Sequence, residues 1–575
     1  MPELSGLNLS YHLDSIFLLP KADTIYGYPI RKIYRGYPGY DFSVNLFGKT
    51  AGTPMGPAAG PHTQLAHNIL LSYLAGSRII ELKTIQILDQ LKISRPCIDM
   101  RNIGFNIEWS QELSLDESFQ EYLHAWIMLH LIKQEKLLGD NSIPSFYDFI
   151  FDISVGYDLK GIQSKKVQLW LSKIKNAENY IERAIDNLPE KYDLLKRLKI
   201  PPVISDSVTL STFHGCPADE IENIANHLIK ENGFNVVIKL NPTLLGYEYV
   251  HQLLINKLGY QNIQLDKSAF DKDLSLEKVV EIIYRLKQVA GNHKKQIGVK
   301  FTNTLVVKNN ENVFNEQVRY LSGAPLYVIA MHTMHFILKR AEINQNLPLE
   351  QAGEINTKNL LKQIDTNPYY SWNKINKNQR TINSTLKFFD CINCNICIPV
   401  CPNAANFFFL MEHGSEHYTD FIYKDNSISS TNRKTYVIEK DQQIGNIAEF
   451  CNDCGNCETF CPEIGAPYKI KPRFYINYKN FNSTNTINGF YFKSPYSILT
   501  KINGIITELE YNSDKTLFIW KTGQLTMHFS EKNELKRYHL KIKMCNSKYN
   551  TITKENIFWS AICNKYYYKK QWRSK

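Results

Sequence analysis

The 575-residue chain has no apolar run of the roughly 18 residues that a bilayer-spanning helix needs. The best candidates, residues 126–132 and 407–411, are short and carry or adjoin polar side chains. The N-terminus lacks a cationic start followed by a long apolar stretch, and residues 15–20 are too few for a secretion signal. No G-x-G-x-x-G fingerprint of a dinucleotide-binding βαβ unit occurs. A strong charge bias is missing too: Lys plus Arg is 67 and Asp plus Glu is 56, a formal +11 that is modest for this length. These absences lead to the expectation of a cytoplasmic protein with no membrane span. Nucleic-acid binding rests only on that small excess and on the basic, aromatic stretch 566–575, so no nucleic-acid partner is expected. What is present is ample apolar material: 43% hydrophobic and 12% aromatic residues exclude a disordered chain, and roughly 150 residues per domain gives about three to four domains.

The cysteines are the most informative residues. Eight of the 12 fall in two runs, Cys391-x-x-Cys394-x-x-Cys397-x-x-x-Cys401-Pro402 and Cys451-x-x-Cys454-x-x-Cys457-x-x-x-Cys461-Pro462. Each has the bacterial-ferredoxin spacing, in which three close thiolates hold one [4Fe–4S] cube and the fourth ligates the other cube. Cys401 is therefore expected to complete the second cluster and Cys461 the first. Disulfides fit poorly, since nothing marks the chain as secreted. Zinc commonly uses two separated pairs of ligands, not four cysteines in one run with a Pro after each. The long interval 412–445 between the runs is expected to be an inserted loop or hairpin.

Along the chain, residues 1–50 read as an irregular lead-in. From 51 to 355 short apolar strands alternate with helical stretches, the mark of β/α units. Strands are expected at 78–84, 149–157, 207–211, 236–240 and 297–302. Helices are expected at 64–76, 113–136, 167–199, 218–232, 274–290 and 327–342. The fold class is α/β, a TIM-like barrel in preference to an open sheet. An Asn- and Lys-rich linker (356–384) then leads to the dicluster domain (385–475) and a β-rich region (476–575).

If the first part is a barrel, residues just after its strands line the active face. Ala58 and Ala59 lie in a small-residue turn, Lys83 ends a strand, and Cys216 follows another. Lys239 and Asn241 lie in KLNPT, Asn303 and Thr304 in KFTNT, and Gly323 on a loop. Taken singly, a lysine at a strand end is more often solvated or ion-paired, and a Cys beside Pro is usually a small buried hydrophobe. Recurrence at successive strand ends is what raises the joint reading.

The segments GTPMGPAAGPHTQLAHN, IELKTIQILD, RPCID, LSTFHGCPADEIENI, VIKLNPTLLGY, KFTNT and LSGAPL resemble the YgfK-type selenate reductase-like subunits. Those belong to the wider dihydroorotate and dihydropyrimidine dehydrogenase-like flavin barrels. The run FFDCINCNICIPVCPNAANF is similar to their ferredoxin-like part. The resemblance covers roughly 30–340 and 385–475. It implies a TIM barrel holding FMN and exchanging electrons with two [4Fe–4S] clusters. Ala58, Ala59, Lys83, Lys239, Gly323 and Gly353 would be cofactor contacts, a lysine offsetting negative charge on the reduced ring. Asn241, Asn303 and Thr304 would contact substrate. Cys216 would be the general acid on a mobile loop.

Departures from the family pattern bear on the phosphate end. The segment 347–354 reads as a remnant of strand seven, with Glu354 where a Gly is expected, and an anion there opposes a phosphate. No eighth strand precedes Cys391, and Asp158 stands where an Asn would suit the flavin or substrate. The expectation is weak or absent FMN in an incomplete barrel of seven or fewer strands. The leading function is an iron–sulfur oxidoreductase subunit that depends on a partner carrying FAD and NAD(P)H or molybdenum. The alternative is a flavin-free relative that relays electrons or scaffolds a complex.

Overall fold

The structure, a computed structural model, describes residues 4–540 except 20–22, 89–92, 108–110, 140, 212–216, 312, 341–357, 377–380, 412, 425–426, 484–488, 495, 503, 513–516, 523–524 and 531–534. The chain divides into two compact units, residues 5–379 and residues 1–4 with 380–575.

In the larger unit the first helix, α1 (Leu9–Phe17), buries Leu9, His12, Leu13 and Ile16. That spacing of three, one and three residues is one face of a helix, so the expected irregular lead-in contributes to the barrel core. Helix α2 (Ala66–Leu74) precedes strand β1 (Ile79–Glu81). Helix α3 (Leu115–Gln134) starts with Ser114 and Glu117 capping each other's backbone N–H groups. Strand β2 (Ile150–Val155) is buried along its whole length. The single helix expected over 167–199 is three pieces: α4 (Lys165–Lys175), α5 (Glu178–Asp186) and a 3₁₀ stretch Glu190–Arg197. Asn176 is extended, with φ −149°, and Pro189 cannot donate to a continuing helix. Next come β3 (Ser207–Ser211), α6 (Ala218–Lys230), β4 (Asn235–Leu240), α7 (Leu276–Asn292) and β5 (Ile297–Phe301), close to the expected limits.

The five strands form one parallel sheet in the order β5-β4-β3-β2-β1, with a helix in each connection. At the β1 edge, Arg78 N–H and Ile79 N–H donate to Met55 O and Glu81 N–H to Pro57 O. This segment stands in the place of a first barrel strand, and Pro54 and Pro57 deprive it of the donors a regular strand needs. After β5 the chain leaves the sheet: β6 (Leu305–Lys308) and β7 (Val318–Leu321) pair antiparallel with each other, and β7 pairs with Phe105–Asn106. Helix α8 (Ala324–Arg340) follows. Among the described residues the barrel is thus a partial one, as expected. The stretch expected to be a linker differs. Tyr260 Oη donates to Tyr370 O, its ring packs on Trp372, and Trp372 N–H donates to Leu258 O, so Tyr370 and Trp372 are tied to the barrel unit.

The second unit is built on a nine-stranded sheet. Strand β8 (Asn406–Leu410) pairs with β11 (Gln442–Ile447), and between them β9 (Gly414–Lys424) and β10 (Ser427–Ile438) form the expected hairpin. Strands β12 (Arg473–Tyr475) and β13 (Gly489–Ser494) continue the sheet in parallel. An antiparallel meander completes it: β14 (Ser497–Ile502), β15 (Ile505–Asn512), β16 (Leu517–Lys521), β17 (Leu525–Ser530) and β18 (Leu535–Leu540). The β-rich region therefore extends the sheet begun by the cysteine-bearing segment, sharing a core of Phe409, Phe474, Phe490 and Trp520.

Candidate functional site

The two cysteine runs fold into loops of one shape. Asn393 and Asn395 have φ of 56° and 60°, and Asp453 and Gly455 have φ of 53° and 89°. Each pair lies two and four residues after its leading cysteine. Left-handed backbone costs most residues roughly 1–2 kcal/mol and suits Gly, Asn and Asp best, so the turn selects these residues. The Cys391 thiol donates to Asn393 Oδ1 (3.2 Å) and the Cys451 thiol to Asp453 Oδ1 (3.3 Å). None of the eight cysteines is in a disulfide.

Their neighbours fall into two sets. Burial first, then the sulfurs of Cys391, Cys394 and Cys461, push the Cys397 thiol up to about 12. Burial pushes Cys451 up to about 12 against the pull of Arg473, with Cys401 also nearby. Cys457 is raised by burial and then by Cys401 and Cys451. Cys461 thus joins the first run and Cys401 the second, the crossover that the spacing implies. Among the described residues no three His, Cys, Asp or Glu side chains converge as one metal ion would require. A cube instead takes one thiolate at each of four irons.

Two buried cations lie beside these sets, and sequence reading missed both. Lys471 is 3% exposed, and its Nζ has no oxygen acceptor but lies against the Cys391 sulfur, with Cys397 nearby. Arg473 is 4% exposed and donates to Asp453 Oδ1 at 2.8 Å and to Asn446 Oδ1 at 3.2 Å. A buried ammonium without an acceptor is costly unless an anion faces it. A thiolate-held cluster is such an anion, and the residues fit the group.

At the C-terminal end of the parallel sheet a second network forms. Lys300 Nζ lies 2.9 Å from Glu81 Oε2 and 3.6 Å from Asp152 Oδ2, and it donates to Thr209 Oγ1 at 3.1 Å. Asp152 also accepts from the Ser207 and Thr209 hydroxyls. Glu81 Oε2 accepts from Ala59 N–H at 3.0 Å. Glu81 Oε1 has no hydrogen-bond partner and faces Lys239 Nζ at 3.9 Å. Burial favours neutral Glu81, but Lys239 and Lys300 outweigh it and hold the carboxyl below its ordinary value. Asp152 is raised by burial, partly offset by Lys300, and Lys239 is lowered by burial, partly offset by Glu81. Lys239 and Lys300 stand opposite each other in the β4–β5 register, which is why they need carboxylates between them.

Other expected residues join this end. Asn303 Nδ2 donates to Asn241 Oδ1 at 2.8 Å, and Asn241 Nδ2 donates to Asp273 Oδ1 at 3.2 Å. A cavity of about 20 Å³ beside Lys239, Asn241 and Asp273 has room for roughly one water. Lys83 is buried, and its carbonyl accepts from Tyr122 Oη. Thr304 is half-buried directly ahead of β6. Gly323 has φ +76° and opens α8, with its carbonyl accepting from Tyr327 N–H. Asp158 is a helix cap, its Oδ1 accepting from Gly161 N–H at 2.7 Å. Cys216, Gly353, Glu354, the segment 347–354 and the tail 566–575 lie outside the described residues.

Residues 26–368 match the family described as oxidoreductase YgfK, N-terminal TIM-barrel domain, and residues 387–464 match the 4Fe-4S dicluster domain. The oxidoreductase YgfK of Escherichia coli (strain K12) is 39% identical over 349 residues, and so is its counterpart in Escherichia coli O157:H7. That match takes in 57% of this chain but 33% of either relative, so the chain spans about a third of their length. Among solved structures, DHODH of Eimeria tenella aligns at 15% identity and TM-score 0.33, over 62% of this chain and 85% of that one. The ligand-free form gives 14% and 0.32, over 63% and 91%. Likenesses this slight carry no weight. The family match over more than half of the sequence does, and it makes this chain a member of the YgfK oxidoreductase family, with a dicluster 4Fe–4S domain following its barrel.

Proposed function

We propose that this chain is the electron-transferring part of a larger oxidoreductase, linking a flavin and substrate site in the barrel to two [4Fe–4S] clusters. The observation that carries the reading is Glu81 Oε1 at the barrel end, which has no hydrogen-bond partner and faces Lys239 Nζ at 3.9 Å next to the Ala59 turn. A planar group lying on the Ala58–Ala59 backbone would meet Lys239 and Lys83 along its edge. FMN, when bound, supplies exchange between two-electron chemistry at a substrate and one-electron transfer. Around it Asn241 and Asn303 orient the substrate, and Gly323 and Gly353 let backbone approach the phosphate. Cys216 donates a proton to the substrate. A partner carrying FAD and NAD(P)H or molybdenum supplies or withdraws electrons. Exposed Ile392, Cys394, Ile396 and Ile464 around the first cluster give that partner a place to dock. A selenate-reducing assembly in the cytoplasm is the setting that the resemblance suggests.

Anaerobic titration of the protein with FMN tests the barrel half of the reading. Binding is expected, but weaker than micromolar, because each missing charge-assisted hydrogen bond to the phosphate costs roughly 1.5–3 kcal/mol, one to two powers of ten in affinity. No binding at millimolar FMN would favour the flavin-free relay. Submicromolar binding would show that another segment has replaced the phosphate loop.

A further inference from the structure

The two cations under the cysteine loops keep different company. Arg473 is cancelled at close range by Asp453, 2.8 Å away. Lys471 has no oxygen acceptor, although it is 3% exposed, and its Nζ lies against the Cys391 sulfur, with Cys397 nearby. Glu463, a buried carboxylate on that side, offsets the Lys471 charge in part from a distance, while its oxygens accept from Ser384 Oγ at 2.9 Å and from Ile392 N–H at 3.2 Å. Of the other charges there, Lys440 donates to the Cys391 carbonyl, and Asp390 accepts from the backbone N–H groups of Glu439 and Lys440.

We propose that Lys471 holds the reduction potential of the first cluster (Cys391, Cys394, Cys397, Cys461) above that of the second (Cys451, Cys454, Cys457, Cys401). The proposal rests on the iron–sulfur reading. Reduction adds one negative charge to a cluster, and net charge, hydrogen bonds to sulfur and solvent exposure set how readily it is accepted. An ammonium in no contact ion pair, in a low-dielectric interior, favours the reduced form far more than a guanidinium paired at 2.8 Å does. Solvent acts in the same sense. Cys394 is exposed, whereas Cys451, Cys454 and Cys457 are 8%, 7% and 6% exposed. One electron therefore passes from the second cluster, which is oxidised, to the first, which is reduced, with no proton moved and no bond broken. The first cluster is the end that serves the partner.

A redox titration of the full-length, anaerobically prepared protein, followed by electron paramagnetic resonance, tests this. The wild type should show two midpoints. Lys471→Gln should shift one of them negative by at least tenfold in its one-electron equilibrium, about 59 mV, leaving the other in place. Lys471→Arg should keep it. Cys394→Ser, which alters a ligand of the first cluster alone, should perturb that same signal, and it should be the higher of the two. An unmoved midpoint in an iron-replete Lys471→Gln protein overturns the proposal, and so does a Cys394→Ser change in the lower signal. If Lys471→Gln loses its iron, the Cys394→Ser comparison decides the order with Lys471 intact. Iron far below about eight per wild-type chain would contradict the iron–sulfur reading instead, and the metal assay separates that failure from this one.

Discussion

The barrel end and the cysteine loops are both crowded with buried polar groups, and they settle them in opposite ways. At the barrel end Asp152 is met by Ser207, Thr209 and Lys300, and Asn241 by Asn303 and Asp273. In the loops four thiols are buried, and the Lys471 ammonium has no oxygen acceptor. The first arrangement is largely complete as protein. The second needs something the protein does not supply. Folding of the smaller unit should therefore depend on its clusters, while the barrel should fold without FMN.

Breaking the cluster side gives the largest effect. Replacing Cys457 with Ala should lower iron from about eight to about four or fewer per chain and melt the cysteine-bearing unit at a much lower temperature, because metal binding there is part of folding. Iron analysis beside calorimetry checks it, and unchanged iron would contradict the ligand assignment. Next in size is the proposed acid. Cys216→Ser should slow any flavin-linked turnover about 10²–10⁴-fold without changing the FMN spectrum, since an alcohol is a far weaker acid than a thiol. Equal rates would reduce Cys216 to the residue ahead of Pro217 at the start of α6.

The barrel network responds more mildly. Glu81→Gln leaves Lys239 and Lys300 facing each other with one carboxylate fewer, and should cost on the order of 3 kcal/mol in denaturant unfolding. Because its folded pKa is depressed, Glu81 contributes stability that is present above about pH 4.3, the unfolded value, and is lost as pH falls through the folded one. The smallest effect concerns Glu121 on α3, which accepts from Ala66 N–H and is pushed up to about 8 by burial. Its sign is opposite. The stability it contributes is complete below about pH 4.3 and is lost as pH rises through about 8. Glu121→Gln should flatten that decline, leaving the variant more stable than wild type at pH 9 by on the order of 2 kcal/mol. A parallel pH profile in the variant would rule Glu121 out as its source.

Much of this was legible in the sequence, unevenly and for physical reasons. Parallel strands buried on both faces read as apolar runs, so β2 through β5 could be placed to within two residues. The cysteine runs were legible because ligand spacing is local. The partners of those groups were not. Glu81 ends β1 two residues before Lys83, and nothing local says that Lys300 reaches it across the sheet. Asp152 interrupts the apolar run FIFDISV, a signal that could have marked it as paired. Lys471 and Arg473 follow the second run by about ten residues and carry no motif. The break at Asn176 was missed because helical periodicity resumes in register beyond it, and the six-stranded continuation of β12 was seen only in part because short strands separated by polar turns blur together.

The most direct test of the central claim is a count of iron, acid-labile sulfide and zinc in anaerobically purified protein, taken with its visible spectrum. About eight iron and eight sulfide per chain are expected, with the broad absorbance of [4Fe–4S] clusters near the blue. Stoichiometric zinc without sulfide or that absorbance would contradict it.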